Sequence, residues 1–127
     1  MHTPAILVTD DDEFLVQVLS KWFEARGFAV DVAHDGLEAV NKCRERVFDV
    51  ITMDIEMPKM GGIEATRLIK EFNPAMPVVV LTGYPTRVDL VERCKADKIL
   101  AKPTPLSALE REVRALLRPT AEPPETD

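Results

Sequence analysis

Two hydrophobic periodicities alternate five times along this chain, and that alternation leaves few folds open. Short runs rich in β-branched residues at Ala5–Thr9, Phe28–Ala33, Phe48–Met53, Met76–Thr82 and Lys98–Ala101 read as strands. Between them lie segments with apolar residues every three or four positions, the spacing of one helical face. Short strands joined by helices cannot pair as hairpins. They imply a parallel sheet, right-handed crossovers and helices on both faces, so an open α/β domain is the expected fold.

Local signals bound each helix. The first runs from about Asp12 to Arg26, with Leu15, Val18, Leu19, Trp22 and Phe23 as its apolar face, and stops at Gly27. The second opens at Asp35-Gly36-Leu37-Glu38, where Asp35 and Glu38 have capping-box spacing, and should bury Leu37, Val40 and Cys43. A third spans Gly62 to Phe72 before Asn73-Pro74, and a fourth, near Thr86 to Lys95, follows Tyr84-Pro85. In the last, Leu106, Leu109, Val113, Leu116 and Leu117 mark one face, with Thr104 as N-cap and Pro105 in the first turn. From Arg118 the pattern dissolves into RPTAEPPETD, so the folded domain is expected to end near residue 118, with 119–127 a flexible tail or linker stub.

Composition narrows the function classes. At 127 residues one core fits without disulfide or metal staples. Cys43 and Cys94 are far apart in sequence with no Cys/His cluster beside them, which points to free thiols. His2 and His34 read as surface residues without ligand partners. A net charge of -6 supplies no basic face for phosphate backbones, so direct nucleic-acid binding is not expected. Nor does any apolar run approach the ~18 residues that span a bilayer, and the start MHTPAILV lacks the regions of a signal peptide, so a cytoplasmic location is expected.

Chemistry gathers at the ends of the strands. Asp10-Asp11-Asp12 follows the first, Asp54 closes the third, Thr82 the fourth, and Lys102-Pro103 follows the fifth. In an open α/β sheet the carboxyl ends of the strands line the functional crevice, so these positions converge. Carboxylates about 4 Å apart repel by several kcal/mol at an effective dielectric near 20, and the cluster calls for a cation. Magnesium suits a site of one or two carboxylates completed by waters and a phosphate oxygen, calcium wants a longer run of oxygens, and zinc wants His or Cys. A metal beside a further carboxylate invites phosphoryl chemistry, in which Asp54 is the candidate nucleophile. Lys102 offers a point charge and Thr82 a hydroxyl to the phosphoryl oxygens. Asp54 is followed by Ile55-Glu56-Met57-Pro58 and by Lys59-Met60-Gly61-Gly62, which reads as a flexible loop.

The order ILVTDDDE, DVITMDIEMPKMGG, VVVLTG and ILAKP closely resembles the receiver domain of two-component response regulators, over essentially all of residues 5 to 117. The resemblance implies a flavodoxin-like (βα)5 three-layer sandwich whose five-stranded parallel sheet has the order 2-1-3-4-5. It implies that a sensor histidine kinase or a phosphotransfer protein phosphorylates Asp54. Asp11 would ligate Mg2+ directly, Asp10 through water, and Asp54 and the backbone carbonyl of Glu56 would complete the protein's share. Thr82 would move toward the phosphoryl group, the Lys102-Pro103 bond would be cis, and a downstream effector protein or domain would read the change. The oligomeric state implied is a monomer or weak homodimer.

Three positions depart from the family pattern: Ile99 replaces an aromatic, Thr104 a phenylalanine, and Lys95 a glycine. Ile99 has no ring to swing, so Tyr84 is the expected side chain to change exposure. A haloacid dehalogenase-type phosphatase also uses Asp, magnesium, Thr and Lys, but its nucleophile follows the first strand as DxD and it needs a cap. A phosphorylation-independent interaction module on the same fold would have lost part of the acidic and basic set. Flavin binding would bring a phosphate against the triple acid.

Overall fold

The computed structural model describes residues 2–83 and 92–117. Along the chain these form β1 (Ala5–Thr9), α1 (Glu13–Ala25), β2 (Ala29–Ala33), α2 (Gly36–Glu45), β3 (Val50–Asp54), α3 (Gly62–Phe72), β4 (Val78–Thr82), β5 (Lys98–Ala101) and α4 (Leu106–Leu116). Tyr84, most of the helix expected over Thr86 to Lys95, and the segment from Arg118 onward lie outside the described residues. All strand pairs are parallel, in the order β2-β1-β3-β4-β5, so the sheet has the flavodoxin-like topology.

The central strands are buried on both faces and mostly apolar, with Thr52 the polar residue inside β3 and polar residues at the strand ends. Alternate residues point opposite ways. Leu7, Ile51, Met53, Val78 and Val80 pack against Ala39, Val40 and Cys43 of α2 and Ala65 and Ile69 of α3. Ile6, Val8, Val50, Val79 and Leu81 pack against Val16, Leu19 and Phe23 of α1 and Leu109 and Val113 of α4. Full burial of each large aliphatic or aromatic side chain contributes about 1.5–3 kcal/mol. Phe23 and Phe28 add an edge-to-face contact at 5.0 Å.

Capping follows the sequence in α1 and α2. Asp12 precedes α1 and its carboxylate accepts the N–H groups of Phe14 and Leu15, while Gly27 beyond the end takes a φ of 93°. Asp35 accepts from Glu38 N–H, and the returning bond goes from the N–H of His34 to the Glu38 carboxylate. The last helix differs from expectation. Pro105 occupies the N-cap position, and the Thr104 hydroxyl donates to the carbonyl of Ala101 instead of capping.

Two burial expectations also change. Leu37 is 44% exposed, because Gly36, Ala39, Val40 and Cys43 are the residues that share the inward stripe and Leu37 lies about 100° round the helix from Gly36. On α1 the fully buried positions are Val16, Leu19 and Phe23, with Trp22 half-buried. Trp22 donates its indole N–H to Glu110 of α4 at 3.1 Å. Arg26 and Arg114 also meet the Glu110 carboxylate, each at 2.9 Å, and the Arg26 guanidinium stacks over the Trp22 ring. Both cysteines are free and buried. The histidines are exposed as expected, but each faces acids: His2 meets Asp49 at 3.0 Å, and His34 meets Glu13 and Glu38 at 3.3 Å.

Candidate functional site

The strand ends converge because β1, β3, β4 and β5 are parallel neighbours or near neighbours, with Thr9 opposite Met53, Asp54 opposite Leu81, and Thr82 opposite Ala101. One further bond, from Lys102 N–H to the carbonyl of Thr82 at 2.8 Å, prolongs the β4–β5 ladder past the end of β5 and brings Lys102 to the crevice. There its ammonium lies 2.7 Å from Asp54 Oδ1 and 3.0 Å from Asp10 Oδ2. The Lys102–Pro103 peptide bond is cis.

The three consecutive acids have different tasks. Asp12 turns its carboxylate back onto the first turn of α1. Asp10 is buried, accepts the N–H of Asp12 at 2.9 Å and pairs with Lys102. Asp11 is exposed, and it joins Asp10 and Asp54 in a set whose ligand oxygens all lie within 4.8 Å of one another. The acidic triplet, Asp54, Glu56, Thr82 and Lys102 line a cleft of about 290 Å3. Thr82 is buried at its wall.

Electrostatics in this cleft is unbalanced. Burial raises the pKa of Asp54 above its ordinary value, the Asp10 and Asp11 charges push the same way, and the Lys102 hydrogen bond only partly offsets them. Burial works against the Lys102 ammonium, yet its hydrogen bonds to Asp54 and Asp10 hold its pKa above the usual lysine value. One ammonium therefore faces three clustered carboxylates. An all-oxygen set with this surplus of negative charge fits a hard divalent cation such as magnesium.

The loop after Asp54 is packed rather than loose. The Gly62 N–H donates to Ile55 O at 2.8 Å, and the Gly36 N–H at the start of α2 donates to Met60 O at 2.8 Å. A Cβ on Gly62 would lie 1.9 Å from the Asp54 carbonyl oxygen, and one on Gly36 2.5 Å from that of Met60. Both glycines are there because backbone passes too close for any side chain. The signal was present in sequence as glycines at helix starts, but their contacts, Asp54 and Met60, are visible only in space. Lys59, in the same loop, adopts a left-handed φ of 68°, as does Lys95 before β5. Ile99 is half-buried against the α2–α3 side of the core.

This strand order is that of a flavodoxin-like α/β domain, with the acids, Thr82 and Lys102 gathered at the carboxyl ends of its strands. The family model of the response regulator receiver domain matches residues 6–114, and the chain belongs to that family, the receiver module of two-component response regulators. Among curated relatives, transcriptional regulatory protein ZraR of Klebsiella oxytoca is 39% identical over 83% of this chain and 24% of its own length. Response regulator MprA of Mycobacterium avium is 35% identical over 96% of this chain and 54% of its own length. The chain thus spans about a quarter to about half of these relatives. Among solved structures, response regulator TrrA of Thermotoga maritima in complex with Mg(2+)-BeF superposes with a TM-score of 0.83 at 30% identity, covering 90% of this chain and 99% of that one. Chemotaxis response regulator CheY4 of Vibrio cholerae gives 0.84 at 28% identity, covering 91% and 100%.

Proposed function

We propose that this receiver, with residues 1–118 as the functional unit and 119–127 as its tail, accepts a phosphoryl group on Asp54 from a sensor histidine kinase or phosphotransfer protein. It acts in the cytoplasm and passes the signal to an effector protein or domain. The observation that carries the reading is Asp54 itself: a buried carboxylate 2.7 Å from Lys102, grouped with Asp10 and Asp11.

In the reaction an Asp54 carboxylate oxygen attacks the phosphorus of the donor, the bond from phosphorus to the donor imidazole breaks, and its electron pair stays on the imidazole nitrogen. Asp10, Asp11, Asp54 and the backbone carbonyl of Glu56 would hold Mg2+, which when bound neutralises charge on the phosphoryl oxygens. Lys102 adds a positive charge beside Asp54, and the Thr82 hydroxyl would donate to a phosphoryl oxygen. This chemistry modifies the protein once per signal, so the domain is a phosphoacceptor and not a turnover enzyme.

The named functions of the relatives support an output in transcription for a longer protein carrying this receiver, with DNA contact made by another domain. The experiment is labelling by a small phosphodonor with and without Mg2+. Label should require Mg2+ and vanish in Asp54→Asn. Label persisting in that variant on another residue would overturn the reading.

A further inference from the structure

At the edge of the sheet opposite the acidic cleft, a lysine that reads as an ordinary helix-end cation is nine-tenths buried. Lys70, in the last turn of α3, is 8% exposed. Its ammonium donates to Met76 O at 2.6 Å, to Asp97 Oδ2 at 2.7 Å and to Pro74 O at 3.4 Å. Asp97 immediately precedes β5. Its carboxylate also accepts the N–H of Val78 at 2.8 Å, while its own N–H donates to Val78 O at 2.9 Å. The start of β5 is thus bracketed onto the start of β4 and tied to α3 by one half-buried ion pair, whose lysine is the buried partner.

β5 needs that help. It is an edge strand of four residues with burial on only two of them, Ile99 and Leu100, so its apolar contacts specify its register weakly. Yet the residue that follows it, Lys102, must reach Asp54 and Asp10. The connections close a circuit. Asp54 touches Gly62 at the start of α3, α3 runs the depth of the domain to Lys70, Lys70 holds Asp97, and β5 runs back to place Lys102 on Asp54.

We infer that Lys70 and Asp97 are positioning residues for the phosphorylation site: by fixing where β5 begins, they fix where Lys102 ends. The inference rests on Asp54 being the phosphoacceptor. It separates two halves of the site, because the carboxylates that would hold the metal come from just after β1 (Asp10, Asp11) and the end of β3 (Asp54), and β5 reaches them through Lys102.

The test is a double-mutant cycle. Wild type, Lys70→Met, Lys102→Ala and the double variant are labelled by a small phosphodonor at saturating Mg2+, and Mg2+ affinity is measured by calorimetry. Lys70→Met should slow labelling about tenfold, the scale of a small misplacement of a catalytic group. Mg2+ affinity should not fall, and in the Lys102→Ala background Lys70→Met should have no further effect on labelling. Should Lys70→Met fail to fold, Asp97→Asn keeps an oxygen for the Val78 N–H, removes the charge pair and should give the same pattern. Equal slowing with and without Lys102 would overturn the inference, and so would a parallel fall in Mg2+ affinity, which marks general loosening. If the wild type takes no label at all, the phosphoacceptor reading fails separately. The pair is then judged by the amine resonances of Lys102, which move in Lys70→Met if Lys70 positions that side chain and stay in place if it does not.

Discussion

Asp54 and Lys102, 2.7 Å apart and oppositely charged, are both held above their ordinary pKa values. For Lys102 pairing prevails over burial; for Asp54 burial and the neighbouring acids prevail over pairing. The consequences for stability have opposite signs. Lys102 stabilises the fold below its unfolded value, near 10.5, and loses that contribution as pH rises through its higher folded value. Asp54 favours the folded state only while protonated, so its contribution is lost as pH rises from its unfolded value, near 3.8, through its higher folded value. In metal-free buffer, Asp54→Asn is therefore expected to be more stable than wild type at neutral pH, with the gain shrinking as pH falls toward the unfolded value. Denaturant midpoints across pH check this. A variant less stable than wild type at neutral pH would mean that the Lys102 pairing outweighs burial.

The surplus of negative charge predicts a response to magnesium. Binding to the folded state alone adds about 2.7 kcal/mol at a hundredfold excess over Kd. Wild type should gain stability by roughly this amount, and Asp11→Ala should lose most of the gain while becoming no less stable without metal. Equal responses in thermal melts would show that Asp11 is not a principal ligand.

Glycine contacts around Asp54 predict a graded series. Gly62→Ala, with a Cβ 1.9 Å from the Asp54 carbonyl, should destabilise by about 3 kcal/mol and displace Asp54 as well. Gly36→Ala presses on Met60 O and should be milder, at about 1–3 kcal/mol. Gly27 has open space around its Cβ position but a φ of 93°, so Gly27→Ala tests strain alone and should leave Mg2+ affinity intact. Denaturation and calorimetry on the three variants read both effects.

Burial pushes the Cys43 thiol up to about 12 and raises Cys94 as well. Neither should form thiolate at neutral pH, and both should resist alkylation in the folded protein while reacting freely in denaturant. Rapid modification of the native protein at either position would contradict this packing.

Much of this could be read from the chain because the signals were local. Each strand was found within two residues of its bounds, since β-branched runs enclosed by helical periods have few other readings. The four chemical positions were legible because each terminates such a run. What failed depended on space. Leu37 fits a helical stripe by spacing, but small residues carry the inward face at its level because α2 packs closely on its neighbours. Thr104 has a good capping residue's chemistry, yet its hydroxyl found the Ala101 carbonyl first. The loop at Lys59 to Gly62 looked loose because glycines signal freedom in sequence, whereas here they mark close approach. Lys70 and Asp97 carried no signal at all: 27 residues apart, each is an ordinary polar residue at the end of an element.

Trp22 is the chain's one tryptophan. Its indole is bonded to Glu110 and covered by the Arg26 guanidinium, so it straddles the seam between α1 and α4. The molecule therefore carries its own optical gauge of that seam. Any event at the acidic cleft that tilts α1, whose first turn Asp12 caps, should be written into the emission of a single ring more than two helical turns away, with no label attached.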